Sequence, residues 1–298
     1  MNTNNSATVN DSLLGQKLKN YMALAKARLA LSVVFSACTA YYLGTENFNV
    51  YHFLLLGIGG FLVTASANTL NQVLEKDTDR KMKRTQDRPL PAGRMESWEA
   101  VLFAGITAAV GLLALAFFNP MTAFLGSVSL VSYAFIYTPL KRISPVAVWV
   151  GAVPGALPMA IGWVAATGEL GLAAFFLFSL QFLWQFPHFW AIAWVAYKDY
   201  EEGGFYLLPS SQKDGRTKET ALQAAFYVLC LIAMSWAPVS LGISGYIAAG
   251  IMFFMGLFFL YFAIRLFRQT TAKAARQLML ASLVYQLVVF IALMIDKI

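Results

Sequence analysis

Apolar runs of bilayer length recur nine times along this 298-residue chain, which leaves little freedom in what it can fold into. About 20 apolar residues in a helix cross a hydrocarbon core of roughly 30 Å. The runs lie at about 25–44, 51–74, 99–118, 121–138, 146–166, 171–197, 220–240, 243–264 and 277–295. Apolar residues make up 59% of the chain and charged residues 12%, against roughly 25% charged in soluble domains. The expected fold is therefore all-α: a polytopic membrane protein whose residues 16–298 form one nine-transmembrane-helix bundle. Residues 1–15, rich in Asn, Ser and Thr, read as a disordered tail with little to bury, and Gln16–Arg28 as an interfacial helix.

Basic residues give the orientation. With nine spans, alternate loops share a side, and 21 of the 22 Lys and Arg fall on the side of the N-terminus, leaving Lys297 opposite. The positive-inside rule puts that side in the cytoplasm. No apolar signal core or Arg-rich leader is visible, so a bacterial plasma (inner) membrane is expected rather than an organelle. The net charge of +7 fits cytoplasmic loops beside anionic lipid, with no nucleic acid implied. Cys38 and Cys230 lie within spans and show neither a disulfide nor a zinc pattern.

The second run ends in a dense block of charge, with five acidic and seven basic residues between Glu75 and Glu96. On a continuing helix Asn71, Glu75 and Asp79 share one stripe, each step turning only about 40°. An amide and two carboxylates on one stripe are hard oxygen ligands of the kind Mg2+ takes, with a diphosphate completing the shell. A salt-bridged juxtamembrane loop would have the same composition.

A second constellation lies on span six, where Gln181, Gln185 and His188 lead toward Asp199 along a polar stripe that Pro187 could bend. By helical rise His188 sits about 16 Å below Asp199, near mid-bilayer, where an ionisable group points to function. Span five carries Gly151, Pro154, Gly155, Pro158 and Gly162, which bend a helix and admit close neighbours. Just before it, Tyr133, Tyr137, Lys141 and Arg142 set aromatic faces beside cations.

The segment from Asn71 to Arg84, with Arg88-Pro-Leu-Pro-Ala-Gly-Arg94, resembles the first aspartate-rich motif of the UbiA-type intramembrane prenyltransferases. Tyr137-Thr-Pro-Leu-Lys-Arg142, the Gly151–Trp163 segment and Pro187-His-Phe-Trp190 with Asp199-Tyr200 are similar to the protohaem IX farnesyltransferase (haem O synthase) branch. The resemblance implies farnesyl transfer from farnesyl diphosphate to a vinyl group of haem B, with water addition, yielding haem O. It also implies Mg2+ on Asn71, Glu75, Asp79 and Asp199. Arg80, Lys83, Arg84, Lys141, Arg142 and Lys198 would clamp the diphosphate, and Tyr137 or Tyr133 would stabilise an allylic cation. His188 would contact the haem, and haem A synthase is implied as a partner. The chain departs from the pattern at Glu75, Gly203 and Ala27, where Asp, Asp and Pro are common. Two other readings are an aromatic, quinone-precursor acceptor, for which His188 is dispensable, and an organic-anion transporter. A transporter would place its charges at the midplane rather than at one rim.

Overall fold

A computed structural model describes the backbone of residues 4–210 and 214–298 and the side chains of 15–210 and 214–298. Helix α1 (Asn4–Ala25) leads into α2 (Ala27–Gly44) and α3 (Val50–Leu74), followed by a single turn, α4 (Lys76–Asp79). Helix α5 (Ser97–Ala116) returns, and α6 (Pro120–Val131) runs through a π-helical stretch, Ser132–Tyr137, into α7 (Thr138–Leu140). Then come α8 (Ala147–Thr167), α9 (Leu172–Val195), the short α10 (Tyr197–Glu202), α11 (Lys218–Ala233) and α12 (Ala237–Ser240). Helices α13 (Tyr246–Gln269) and α14 (Ala272–Ile295) close the chain. Among the described residues nine helical stretches are long and apolar enough to cross a membrane: α2, α3, α5, Pro120–Leu140, α8, α9, Lys218–Ser240, α13 and α14. All nine expected spans are present.

Helix α1 runs back to Asn4 through the polar residues of the expected disordered tail, of which only residues 1–3 lie outside those described.

Helix α8 is the hub. It packs against α2 and α9 along its length and buries 67% of its spanning window. Gly162 permits the contact with α2, because a Cβ there would lie 1.9 Å from the Ala37 carbonyl oxygen. Pro158 has no N–H to give the carbonyl of Pro154, and the Ser129 hydroxyl of α6 donates to that oxygen instead at 3.2 Å. On the other side Gln185 of α9 donates to the Ala152 carbonyl at 3.0 Å, and Gly155 leaves room for its side chain. Pro187 does not break α9, which stays helical from Leu172 to Val195. At the end of the bundle opposite the charged rim, the Asp296 carboxylate caps α13 by accepting from Ala248 N at 2.7 Å. Lys297 there donates to the carbonyls of Tyr42 and Thr45.

Candidate active site

The charged rim is built where α1 gives way to α2. A helix leaves its last carbonyls without intrahelical donors. Here two amide side chains of α3 supply them: Gln72 Nε2 donates to Leu24 O at 2.8 Å and Asn68 Nδ2 to Ala25 O at 3.0 Å. Held this way, Lys26 adopts the left-handed conformation (φ 48°), which costs a non-glycine residue about 1–2 kcal/mol. The break points its ammonium across to α3, where Nζ donates to Asn71 Oδ1 at 2.9 Å.

Asn71, Glu75 and Asp79 stand together as the helical stripe requires. The axis steps at Glu75 (φ −101°, ψ 10°), yet Glu75 N still donates to Asn71 O and Asp79 N to Glu75 O. Asn71 Nδ2 donates to Glu75 Oε2 at 2.9 Å and to Thr138 Oγ1 at 3.1 Å. Each carboxylate has its own cation: Lys141 Nζ lies 2.5 Å from Glu75 Oε1, and Arg88 Nη1 lies 2.6 Å from Asp79 Oδ2. The loop that brings Arg88 back winds around Asp79, whose carbonyl accepts from Thr85 Oγ1 at 2.9 Å. These groups line a cavity of about 140 Å³ together with Lys26, Arg84, Tyr133, Tyr137 and Tyr200.

Four cations face two carboxylates there, and burial weakens the buried ammoniums. Burial, with Arg88 and Lys141 nearby, lowers the Lys26 ammonium to about 7, while Glu75 and Asp79 oppose the shift. Burial lowers Lys141 too, against the pull of Glu75. Such a cavity is under-supplied with negative charge and suits a polyanion.

Its membrane-facing wall is aromatic. The π-helical stretch brings Tyr133 and Tyr137 to a centroid separation of 5.4 Å, with Lys141 Nζ 5.0 Å above the Tyr137 ring. Gly151 of α8 makes room for that ring, since a Cβ would lie 2.6 Å from two of its carbons. Beyond it a smaller recess of about 40 Å³ continues between Tyr137, Gly151, Phe189, Ile192 and Tyr200. The polar cavity and this apolar recess share Tyr137, Tyr200 and Leu207 as lining.

Solved structures with the same fold include a digeranylgeranylglyceryl phosphate synthase (TM-score 0.79, 19% identity, 94% of this chain and 98% of that one). A UbiA homolog from Archaeoglobus fulgidus bound to GPP and Mg2+ also matches (TM-score 0.66, 16% identity, 92% and 99% covered). Among curated proteins, a protoheme IX farnesyltransferase of Flavobacterium psychrophilum is 43% identical over 286 residues, 93% of this chain and 94% of its own length. One from Cytophaga hutchinsonii is 42% identical over 287 residues, 96% of this chain and 100% of its own. The model of the UbiA prenyltransferase family matches residues 32–292. The chain belongs to the UbiA prenyltransferase family.

The UbiA fold brings together only part of the residue set expected from the sequence. Asn71, Glu75, Asp79, Tyr137, Arg84 and Lys141 line the cavity. Arg80, Lys83, Arg142 and Lys198 do not; they are exposed at the rim, with Arg80 turned to Asp77 and to the Pro91 carbonyl. Neighbouring residues of a turn point in different directions, so only some of this basic set can face inward. Lys26 and Arg88, outside that set, also line the cavity. Asp199 stands on α10, beyond a break at Ala196 that interrupts the expected stripe, and faces Arg84 Nε at 3.9 Å. Gly203, the second-motif departure, packs beneath the first-motif loop: a Cβ there would lie 2.8 Å from Met82 Sδ, so a side chain would displace buried Met82.

His188 lies apart from this cavity, between α9 and α14. Its ring stacks on Trp184 at 4.7 Å, and Nδ1 is 2.7 Å from Ser282 Oγ. Ser282 Oγ also donates to Met279 O at 2.6 Å, an arrangement that suits a ring donating from Nδ1 with the lone pair on Nε2.

The residues fit a divalent cation. Asp79 Oδ1 is buried and accepts no hydrogen bond, and Glu75 Oε1 meets only the Lys141 ammonium. Hard oxygens with spare lone pairs are what Mg2+ takes. Among the described residues no three His, Cys, Asp or Glu side chains form a metal cluster on their own, so substrate oxygens would have to complete the shell.

Proposed function

We propose that the chain transfers a farnesyl group from farnesyl diphosphate to a vinyl group of haem B, with water addition, giving haem O. The observation that carries the donor half is the single cavity in which Lys26, Arg84, Arg88 and Lys141 surround Glu75 and Asp79 and give way to the Tyr133–Tyr137 wall. It receives a charged head and an apolar tail on opposite sides. The acceptor half is supported by the relatives named protoheme IX farnesyltransferase, which match this chain along nearly its whole length.

In this reading the diphosphate takes the four cations, and those on Glu75 and Asp79 turn from carboxylate to phosphate oxygens. Asn71, Glu75 and Asp79, with Asp199 across the rim, would hold Mg2+, which neutralises charge on the leaving pyrophosphate. Arg88 and Lys141 take up the charge that develops as the carbon–oxygen bond breaks. The allylic cation left behind faces the Tyr137 ring and is stabilised through its π-face. A vinyl carbon of haem B bonds to that cation, and water adds to the carbocation so formed on the haem and loses a proton. His188 contacts the haem through Nε2. The basic loops face the cytoplasm of a bacterial inner membrane, and haem A synthase takes up the product.

The test is a product assay on purified protein with haem B, farnesyl diphosphate and Mg2+, in which extracted haems are separated by hydrophobicity and weighed. A haem heavier by farnesyl plus water, lost with EDTA or in Asp79→Asn, is expected. Prenylation of a hydroxybenzoate or naphthoate instead, with haem untouched, would overturn the acceptor.

A further inference from the structure

The Tyr137-Thr-Pro-Leu-Lys motif contributes Tyr137 and Lys141 to the cavity, but Thr138 does not line it. It is buried at 2% exposure behind Asn71. Its hydroxyl has one proton, and that proton goes to Tyr133 O at 2.9 Å, across the π-helical turn. Toward Asn71 Nδ2, at 3.1 Å, Thr138 Oγ1 can therefore only accept. Glu75 Oε2 accepts from the same nitrogen at 2.9 Å, and Lys26 Nζ, which can only donate, faces the amide oxygen at 2.9 Å. Three neighbours on three helical segments thus agree on which end of the amide is oxygen. A flipped amide would set its oxygen against two acceptors and its N–H2 against an ammonium.

The π-turn has a use in this arrangement. A wide turn of this kind is rare and gathers at functional sites. Here the Tyr133 carbonyl accepts from the Thr138 N–H rather than from Tyr137, the α-helical donor, and its second lone pair takes the Thr138 hydroxyl proton. We propose that Thr138 is a positioning residue that locks the Asn71 amide with Oδ1 toward the divalent cation of the prenyl-diphosphate site. The proposal rests on the function proposed above. Thr138 touches neither substrate nor metal; it acts through Asn71.

The experiment uses full-length protein in nanodiscs, with Mn2+ as the paramagnetic probe and farnesyl thiodiphosphate as the unreactive donor. Bound Mn2+ is read by electron paramagnetic resonance, and metal-free binding of the analogue is measured separately. Thr138→Ser keeps both hydrogen bonds and should bind Mn2+ as the unaltered protein does. Thr138→Val and Thr138→Ala leave one Asn71 amide N–H without its acceptor and should weaken Mn2+ binding about tenfold. Metal-free affinity for the analogue should stay within about twofold. In an Asn71→Ala background Thr138→Val should change nothing more, because its target is gone.

The proposal is overturned if Thr138→Val or Thr138→Ala binds Mn2+ as the unaltered protein does. It is equally overturned if Thr138→Ser is as weak as they are, or if the loss persists in the Asn71→Ala background. If the unaltered protein takes up no Mn2+ with the analogue bound, the metal reading of the site falls and the proposal with it. A failure confined to the Thr138 variants overturns the proposal alone.

Discussion

Replacing Arg88 by Met removes the guanidinium 2.6 Å from a carboxylate that is only 1% exposed, while keeping the aliphatic stem. Removing one partner of a buried ion pair costs about 3–5 kcal/mol, mostly because the other charge is left without compensation. Lys26 and Lys141 share the cavity and offset part of this, so about 2–3 kcal/mol is expected. At about 2–4 °C per kcal/mol for a large domain, the unfolding midpoint should fall by about 5–10 °C. The double variant Arg88→Met/Asp79→Asn removes both charges of the pair and should regain most of that loss. Neither variant should make product, since the proposed reaction uses both groups. Thermal challenge of detergent-solubilised protein, followed by size-exclusion chromatography, measures the midpoint, and the haem assay measures turnover. A double variant no more stable than Arg88→Met would refute the reasoning, as would a single variant within 2 °C of the unaltered protein.

Lys26 predicts a pH dependence. Its folded pKa, about 7, lies below the 10.5 of an ordinary lysine, so the penalty on the fold is full below about pH 7 and is relieved progressively between that value and 10.5. A bound diphosphate favours the protonated form, so affinity for farnesyl thiodiphosphate should fall between pH 7 and 9, and Lys26→Met should flatten the fall; calorimetry in buffers of different ionisation enthalpy reads the proton uptake. Gly162→Ala should fail to accumulate in the membrane, because its methyl meets the Ala37 carbonyl, whereas Gly105→Ala, with open space around it, should accumulate normally. His188→Ala should weaken haem binding in a Soret titration about tenfold or more and leave the KM for farnesyl diphosphate unchanged. A loss of haem binding with Ser282→Ala would trace the effect to the ring tautomer.

The spans were legible because bilayer length is a strong constraint and leaves its mark in composition. Asn71, Glu75 and Asp79 were legible because helical spacing survives the step at Glu75. Lys26 was not, since its place depends on a left-handed residue stabilised by Asn68 and Gln72, more than forty residues away. Arg88 was hidden by a loop whose path no periodicity describes, and so the nearer Arg80 and Lys83 seemed equal candidates. The partner of His188, Ser282, lies 94 residues along the chain. Depth marked the histidine out, but only tertiary packing says which nitrogen is left to act.

The prolines of α8 carry a consequence beyond bending. In a soluble helix water repairs the bond a proline removes, and any water will do. In hydrocarbon the carbonyl of Pro154 has no such recourse, and one hydroxyl, that of Ser129 on α6, answers it. The residue that cannot continue its own ladder thereby names the helix it must meet and the height at which they meet. What a propensity scale scores as a break is, in this setting, an assembly instruction written into the hub of the bundle.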